Sequence, residues 1–156
     1  MGDASPRVAV LGIGNELSGD DGAGVRVARD LAVRLGLRAD CLVLEAGTAP
    51  ENFTGVVRRF RPDLVLLVDA AHLGVEPGTA YWLDWEHTDG LSSSTHTLPP
   101  SVFGRFLVQE FACRLALLVI QPAHLDFDHP LSPPVARAAG CVVDGLQAAL
   151  QRPSTG

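Results

Sequence analysis

The 156 residues predict an α/β fold, a three-layer sandwich with a five-stranded, mostly parallel sheet between helices on both faces. Short apolar runs alternate with segments of helical periodicity along the whole chain. Several of those runs are unbroken, as expected of strands buried on both faces. A single connection, between the third and fourth runs, is too short for a parallel crossover, so strand four is expected to be antiparallel.

The elements follow in order. "VAVLGI" (8–13) is the first strand. A helix is expected from near Asp21, with Gly24, Val27, Ala28, Leu31 and Leu35 on one stripe and Arg26, Asp30 and Arg34 off it. "CLVLEA" (41–46) is the second strand, and Phe53, Val56, Val57 and Phe60 mark the next helix at i, i+3, i+4, i+7. "DLVLLVDA" (63–70) is the third strand and "TAYWLD" (79–84) a shorter fourth. Only residues 71–78, with Gly74, Pro77 and Gly78, separate these two, whereas a parallel crossover takes about a dozen residues or more. The segment 85–98 then returns the chain to the other end of the sheet. A third helix opens around Pro99 and Pro100, since proline suits a first turn. "RLALLVI" (114–120) is the fifth strand. The last helix has Ser132 as N-cap, Pro133 at N1 and a stripe of Val135, Ala139, Val142, Leu146 and Leu150.

The length suits a single domain over 1–156, and 47% apolar residues supply a core without staples. Residues 1–6 and the tail "RPSTG" read as loose ends. The net charge of −6, with no run of Lys or Arg, argues against nucleic acid or an anionic membrane as partner. Cys41, Cys113 and Cys141 are odd in number, widely spaced and outside any CxxC pair, which fits a reducing cytoplasmic setting. "MGDASPRVAV" lacks the pattern of a signal peptide, and no apolar run approaches the roughly 20 residues of a membrane span.

"GIGNELSGDDGAG" (12–24) resembles a phosphate loop but carries Asp20 and Asp21 at its centre. In an open α/β sheet, ligands bind beyond the carboxyl ends of the strands, where strand order reverses. With strands one and three adjacent there, Asp20 and Asp21 meet Asp69 at the end of strand three. His96 in "SSSTHTLPP" arrives at the same end. Two or three carboxylates and one imidazole suit Zn²⁺ or Ni²⁺ with open coordination positions. Asp20 also fits the N-cap of the first helix, and Asp69 and His96 each fit a turn or cap. Gly12, Gly14 and Gly19 let the backbone turn above the sheet.

Rival arrangements are few. "HLDFDH" (124–129) would put His124, Asp126 and Asp128 on one face if extended. Ser94 lies near His96, but the chain has no G-x-S-x-G elbow. Cys113 precedes an apolar strand and reads as inert core. A nucleotide-binding module would use Gly12, Gly14 and Glu45, but Leu17 fills the third glycine position and the aspartates repel a diphosphate.

"VLGIGNELSGDDGAGVRV" resembles the opening signature of the hydrogenase maturation endopeptidases. The likeness continues in order through "EAGTAPE" (45–51), "DLVLLVDAAHLGVEPGT" (63–79), "STHTLPPSVF" (94–103), "LLVIQP" (117–122) and "LSPPVARAA" (131–139). "THTLP" is most similar to the branch that processes hydrogen-evolving, formate-linked enzymes. "LLVIQP" departs from the family in lacking a glycine before the isoleucine. The resemblance implies an endopeptidase that removes a short C-terminal extension from the large-subunit precursor of a nickel–iron hydrogenase after nickel insertion. It places the metal-recognising residues on Asp21, Asp69 and His96. It also implies that nickel is presented by the substrate rather than permanently bound. The expected chemistry is metal-assisted hydrolysis by water without a covalent intermediate. A catalytically idle nickel chaperone or sensor would use the same three ligands.

Overall fold

The computed structural model describes residues 4–87 and 100–152. The elements are β1 (Val8–Ile13), α1 (Ala23–Leu35), β2 (Cys41–Gly47), α2 (Thr54–Phe60), β3 (Leu64–Ala70), β4 (Ala80–Leu83), α3 (Pro100–Phe111), β5 (Arg114–Ile120) and α4 (Pro133–Leu150). Short 3₁₀ turns at Gly19–Gly22, Pro50–Phe53 and Trp85–His87 join them. The five strands lie in the order β2-β1-β3-β5-β4. All pairings are parallel except β4 with β5. The short β3–β4 connection therefore has the expected consequence. It turns at the carboxyl end, where Gly78 donates to the Gln121 carbonyl and Gln121 to that of Thr79, and sends β4 back along β5.

Period-two alternation divides the strands between two apolar layers. Val8, Val10, Leu66, Val68, Leu118 and Ile120 face α1 and α4, meeting Val27, Leu31, Val135 and Val143. Ala9, Leu11, Val65, Leu67, Leu117 and Val119 face α2 and α3, meeting Val57, Phe103 and Leu107. Each buried Val, Leu or Ile among them contributes about 1.5–3 kcal/mol by leaving water. Among the described residues, no helix is long and apolar enough to cross a membrane.

Three local expectations change. The helix placed near Asp21 begins at Ala23, because residues 19–22 wind as a tighter 3₁₀ turn. In α4 the fully buried position is Val143, with Val142 only partly buried, since that helix packs chiefly on α1 and not centrally over the sheet. Gly12 stays inside β1, where a Cβ would lie 2.2 Å from the Gly24 carbonyl oxygen. Its role there is close packing of α1, not a turn.

Candidate active site

The site grows from the seating of α1 on the sheet. A Cβ on Gly24 would lie 2.2 Å from the Val68 carbonyl oxygen and 2.4 Å from that of Ile13. Only a glycine lets the first turn of α1 approach the carboxyl ends of β1 and β3 so closely. Asp21 precedes Gly24 by one turn and Asp69 follows Val68, so one seat governs both. Gly14 makes the preceding bend at φ +137°, and a side chain there would meet the Asp21 carbonyl oxygen at 1.9 Å.

Asp21 and Asp69 are buried, at 1% and 3% exposure. Carboxylates rarely occupy such positions without partners or a task. Asn15 N–H donates to Asp21 Oδ2 at 2.8 Å, and Ala70 N–H to Asp69 Oδ1 at 2.8 Å. One oxygen of each carboxylate is thus oriented by backbone. By strand alternation Asp69 projects on the α3 side of the sheet, with Val65 and Leu67. α3 leads through Ala112 and Cys113 into the start of β5, so its first turn lies toward the carboxyl end. His96 and Ser94 lie outside the described residues.

Asp20 departs from both readings offered for it. It does not cap α1, whose N-cap position is Gly22. It is no candidate ligand either, because four donors occupy its two oxygens: Ala123 N, His124 N, Ser132 N and Ser132 Oγ. Ser132 stands at the N-cap of α4 as expected, but its hydroxyl donates to Asp20 and does not cap the helix. The residue overlooked in the sequence is Gln121, buried at the end of β5. It accepts from Leu73 N–H and donates to the Pro122 carbonyl, tying two loops at this end of the sheet. A lone glutamine closing an apolar run was its only signal.

The "HLDFDH" stretch does not form the rival metal cluster. Asp128 adopts φ +63°, so the segment is not extended, and only His124 and Asp126 approach, at 4.0 Å. Among the described residues, no group of three or more His, Cys, Asp or Glu side chains could hold a metal ion. The nucleotide reading fails on geometry as well, because buried carboxylates occupy the turn that opens α1. A groove of about 790 Å³ between β4 and α4, lined by Trp82, Ala138 and Val142 among others, is lined by neither Asp21 nor Asp69. All three cysteines are free, and burial pushes the Cys113 thiol up, away from nucleophilic use.

Comparison with known proteins identifies the family and matches the fold. A family model described as hydrogenase maturation protease matches residues 25–148, a span that includes Asp69 and His96. The Escherichia coli K12 hydrogenase 3 maturation protease is 30% identical over 139 residues, covering 88% of this chain and 87% of that one. The crystal structure of a [NiFe] hydrogenase maturation protease, HycI, from Thermococcus kodakarensis superposes with TM-score 0.86 at 32% identity, covering 94% of each chain. The solution structure of the endopeptidase HycI from Escherichia coli superposes with TM-score 0.79 at 27% identity, covering 94% of this chain and 92% of that one. With the family model spanning most of its length and relatives aligned almost end to end, the chain belongs to the hydrogenase maturation protease family and is a peptidase.

Proposed function

We propose that the chain is the endopeptidase that removes the C-terminal extension of a nickel-loaded hydrogenase large-subunit precursor. Beyond the family, one observation carries this reading: two buried aspartates stand at the carboxyl end of the sheet, Asp21 in the turn after β1 and Asp69 at the end of the neighbouring β3. Their oxygens have the hardness and charge to meet a divalent cation held in another protein, and the imidazole of His96 completes the set. His96 precedes the first residue of α3 by four positions in the sequence. Three ligands without a thiolate suit recognition of a metal that the precursor already holds. Free cysteines support a reducing cytoplasmic setting.

Held in the precursor, the nickel would supply Lewis-acid polarisation of the scissile carbonyl. Asp21 and Asp69 orient the metal-bearing segment, and one of them accepts the proton of the attacking water. No side chain becomes acylated. Hydrolysis breaks the peptide bond, and water supplies the hydroxyl of the new carboxylate and the proton of the new amine.

The test uses metal-stripped enzyme with nickel-loaded and nickel-free precursor. Shortening of the loaded precursor alone is the expected result. Equal cleavage of both forms overturns recognition of substrate-borne metal. Failure to cleave the loaded form overturns the endopeptidase assignment for that precursor.

A further inference from the structure

We propose that Asp20 is a positioning residue, whose buried carboxylate fastens a strap, residues 122–132, to the turn that carries Asp21. The consequence for catalysis rests on the endopeptidase reading above, in which Asp21 acts on the precursor.

The fastening is built from both sides. Asp20 is fully buried. Its Oδ1 accepts from Ser132 N at 2.6 Å. Its Oδ2 accepts from Ala123 N at 2.8 Å, Ser132 Oγ at 2.8 Å and His124 N at 3.3 Å. In return, Asp20 N donates to the His124 carbonyl at 3.0 Å and Asp128 N to the Leu17 carbonyl at 2.7 Å. Ser18 and Phe127 form an antiparallel bridge between them. The His124 ring closes the contact, since a Cβ on Gly19 would lie 2.7 Å from its Nδ1. The "HLDFDH" stretch thus acts as a strap across the aspartate loop.

The chemistry requires a carboxylate. Its four donors are neutral, three backbone amides and one hydroxyl, and charge-assisted bonds of this kind are the strong ones. Ser132 opens α4, so the negative charge also lies at the positive end of an 18-residue helix. Asparagine has the same shape but must present an NH₂ group to at least one of these donors. Asp20 and Asp21 are consecutive in one 3₁₀ turn, so fixing the first sets the rotation of the second. The bond from Asn15 N to Asp21 Oδ2 reports whether that rotation is kept. The paired aspartates therefore divide the work: Asp20 holds the turn and Asp21 faces the substrate.

Full-length Asp20→Asn and Ser132→Ala are compared with wild type by cleavage kinetics on nickel-loaded precursor and by amide exchange followed by NMR. For Asp20→Asn, kcat falls about 100-fold, the scale of loss from misplacing a reacting group by an ångström, while KM for precursor is retained. Exchange accelerates at Ala123, His124, Ser132 and Asn15 while β1 and β3 keep their protection. Ser132→Ala shifts the same observables less. A folded Asp20→Asn with wild-type kcat overturns the proposal, as does a rise in KM alone. Loosening of the strap with Asn15 unchanged also overturns it. If Asp20→Asn does not fold, Ser132→Ala decides by the same criteria. Failure of wild type to cleave counts against the endopeptidase reading, and Asn15 exchange still decides whether Asp20 positions Asp21.

Discussion

Gly24 rests directly on the carbonyl of Val68, close enough that a Cβ would stand 2.2 Å from the oxygen. This contact joins the start of α1 to the end of β3 and holds the Asp21 turn beside Asp69. Gly24→Ala must push helix and sheet apart, at a cost of about 1–3 kcal/mol or more. Gly140, mid-way along α4, has open space where a Cβ would go. Gly140→Ala should stabilise by about 0.5–1 kcal/mol through helix propensity. Urea unfolding of both variants checks the contrast, and equal effects would remove the close-approach argument.

Asp21→Asn, Asp69→Asn and His96→Ala should each lower cleavage of nickel-loaded precursor by at least about 100-fold. Near-native circular dichroism should accompany each loss. His124→Ala should retain cleavage within a few-fold, because Asp20 bonds to the backbone amide of His124 and not its ring. Loss of activity in His124→Ala with wild-type folding would show that packing of the ring on Gly19, and not the backbone bonds alone, holds the turn.

Alkylation should separate the three thiols. Cys141 is exposed, whereas burial raises the pKa of both Cys41 and Cys113. At neutral pH iodoacetamide should label Cys141 first, with cleavage unchanged. Peptide mapping of a partly labelled, fully active sample checks this. Inactivation that tracks labelling of one cysteine would contradict hydrolysis by water alone.

Asp40 provides a pH test. Two hydrogen bonds from Arg38, both at 2.9 Å, hold its carboxyl below the usual carboxylate range. A depressed native pKa stabilises the fold above the unfolded pKa, and that contribution is lost as pH falls through the native value. Asp40→Asn should lower stability at pH 7 only slightly, as solvent-screened surface pairs do. The difference from wild type should shrink as the solution is acidified below the carboxylate range. A constant difference across the titration would show that the effect is not electrostatic.

Much of the fold was legible because its signals are local. The run "VAVLGI" announces a strand buried on both faces, and β1 is buried throughout. The eight residues 71–78 cannot make a crossover, which set the direction of β4 before any pairing was known. Asp21 and Asp69 could be assigned to one end of the sheet because each ends or follows a strand whose direction was already inferred. The register of α4 is set by packing. Val142 and Val143 both fit an apolar stripe, and contact with α1 selects the second for full burial.

By itself the sequence determined the layer architecture, the reversed fourth strand and the family, since periodicity, connection length and motif order are written in consecutive residues. What the carboxylate of Asp20 holds was decided only in the tertiary structure. Two adjacent aspartates have the same chemistry and the same local signal. What distinguishes them is Ser132, 112 positions away, whose amide and hydroxyl reach one carboxylate and not the other. The same holds for "HLDFDH", which reads as metal chemistry in isolation. It becomes a strap because its backbone groups find partners in Leu17 and Asp20. A buried carboxylate takes whatever donors the folded chain brings to it, and long-range packing alone decides which donors those are.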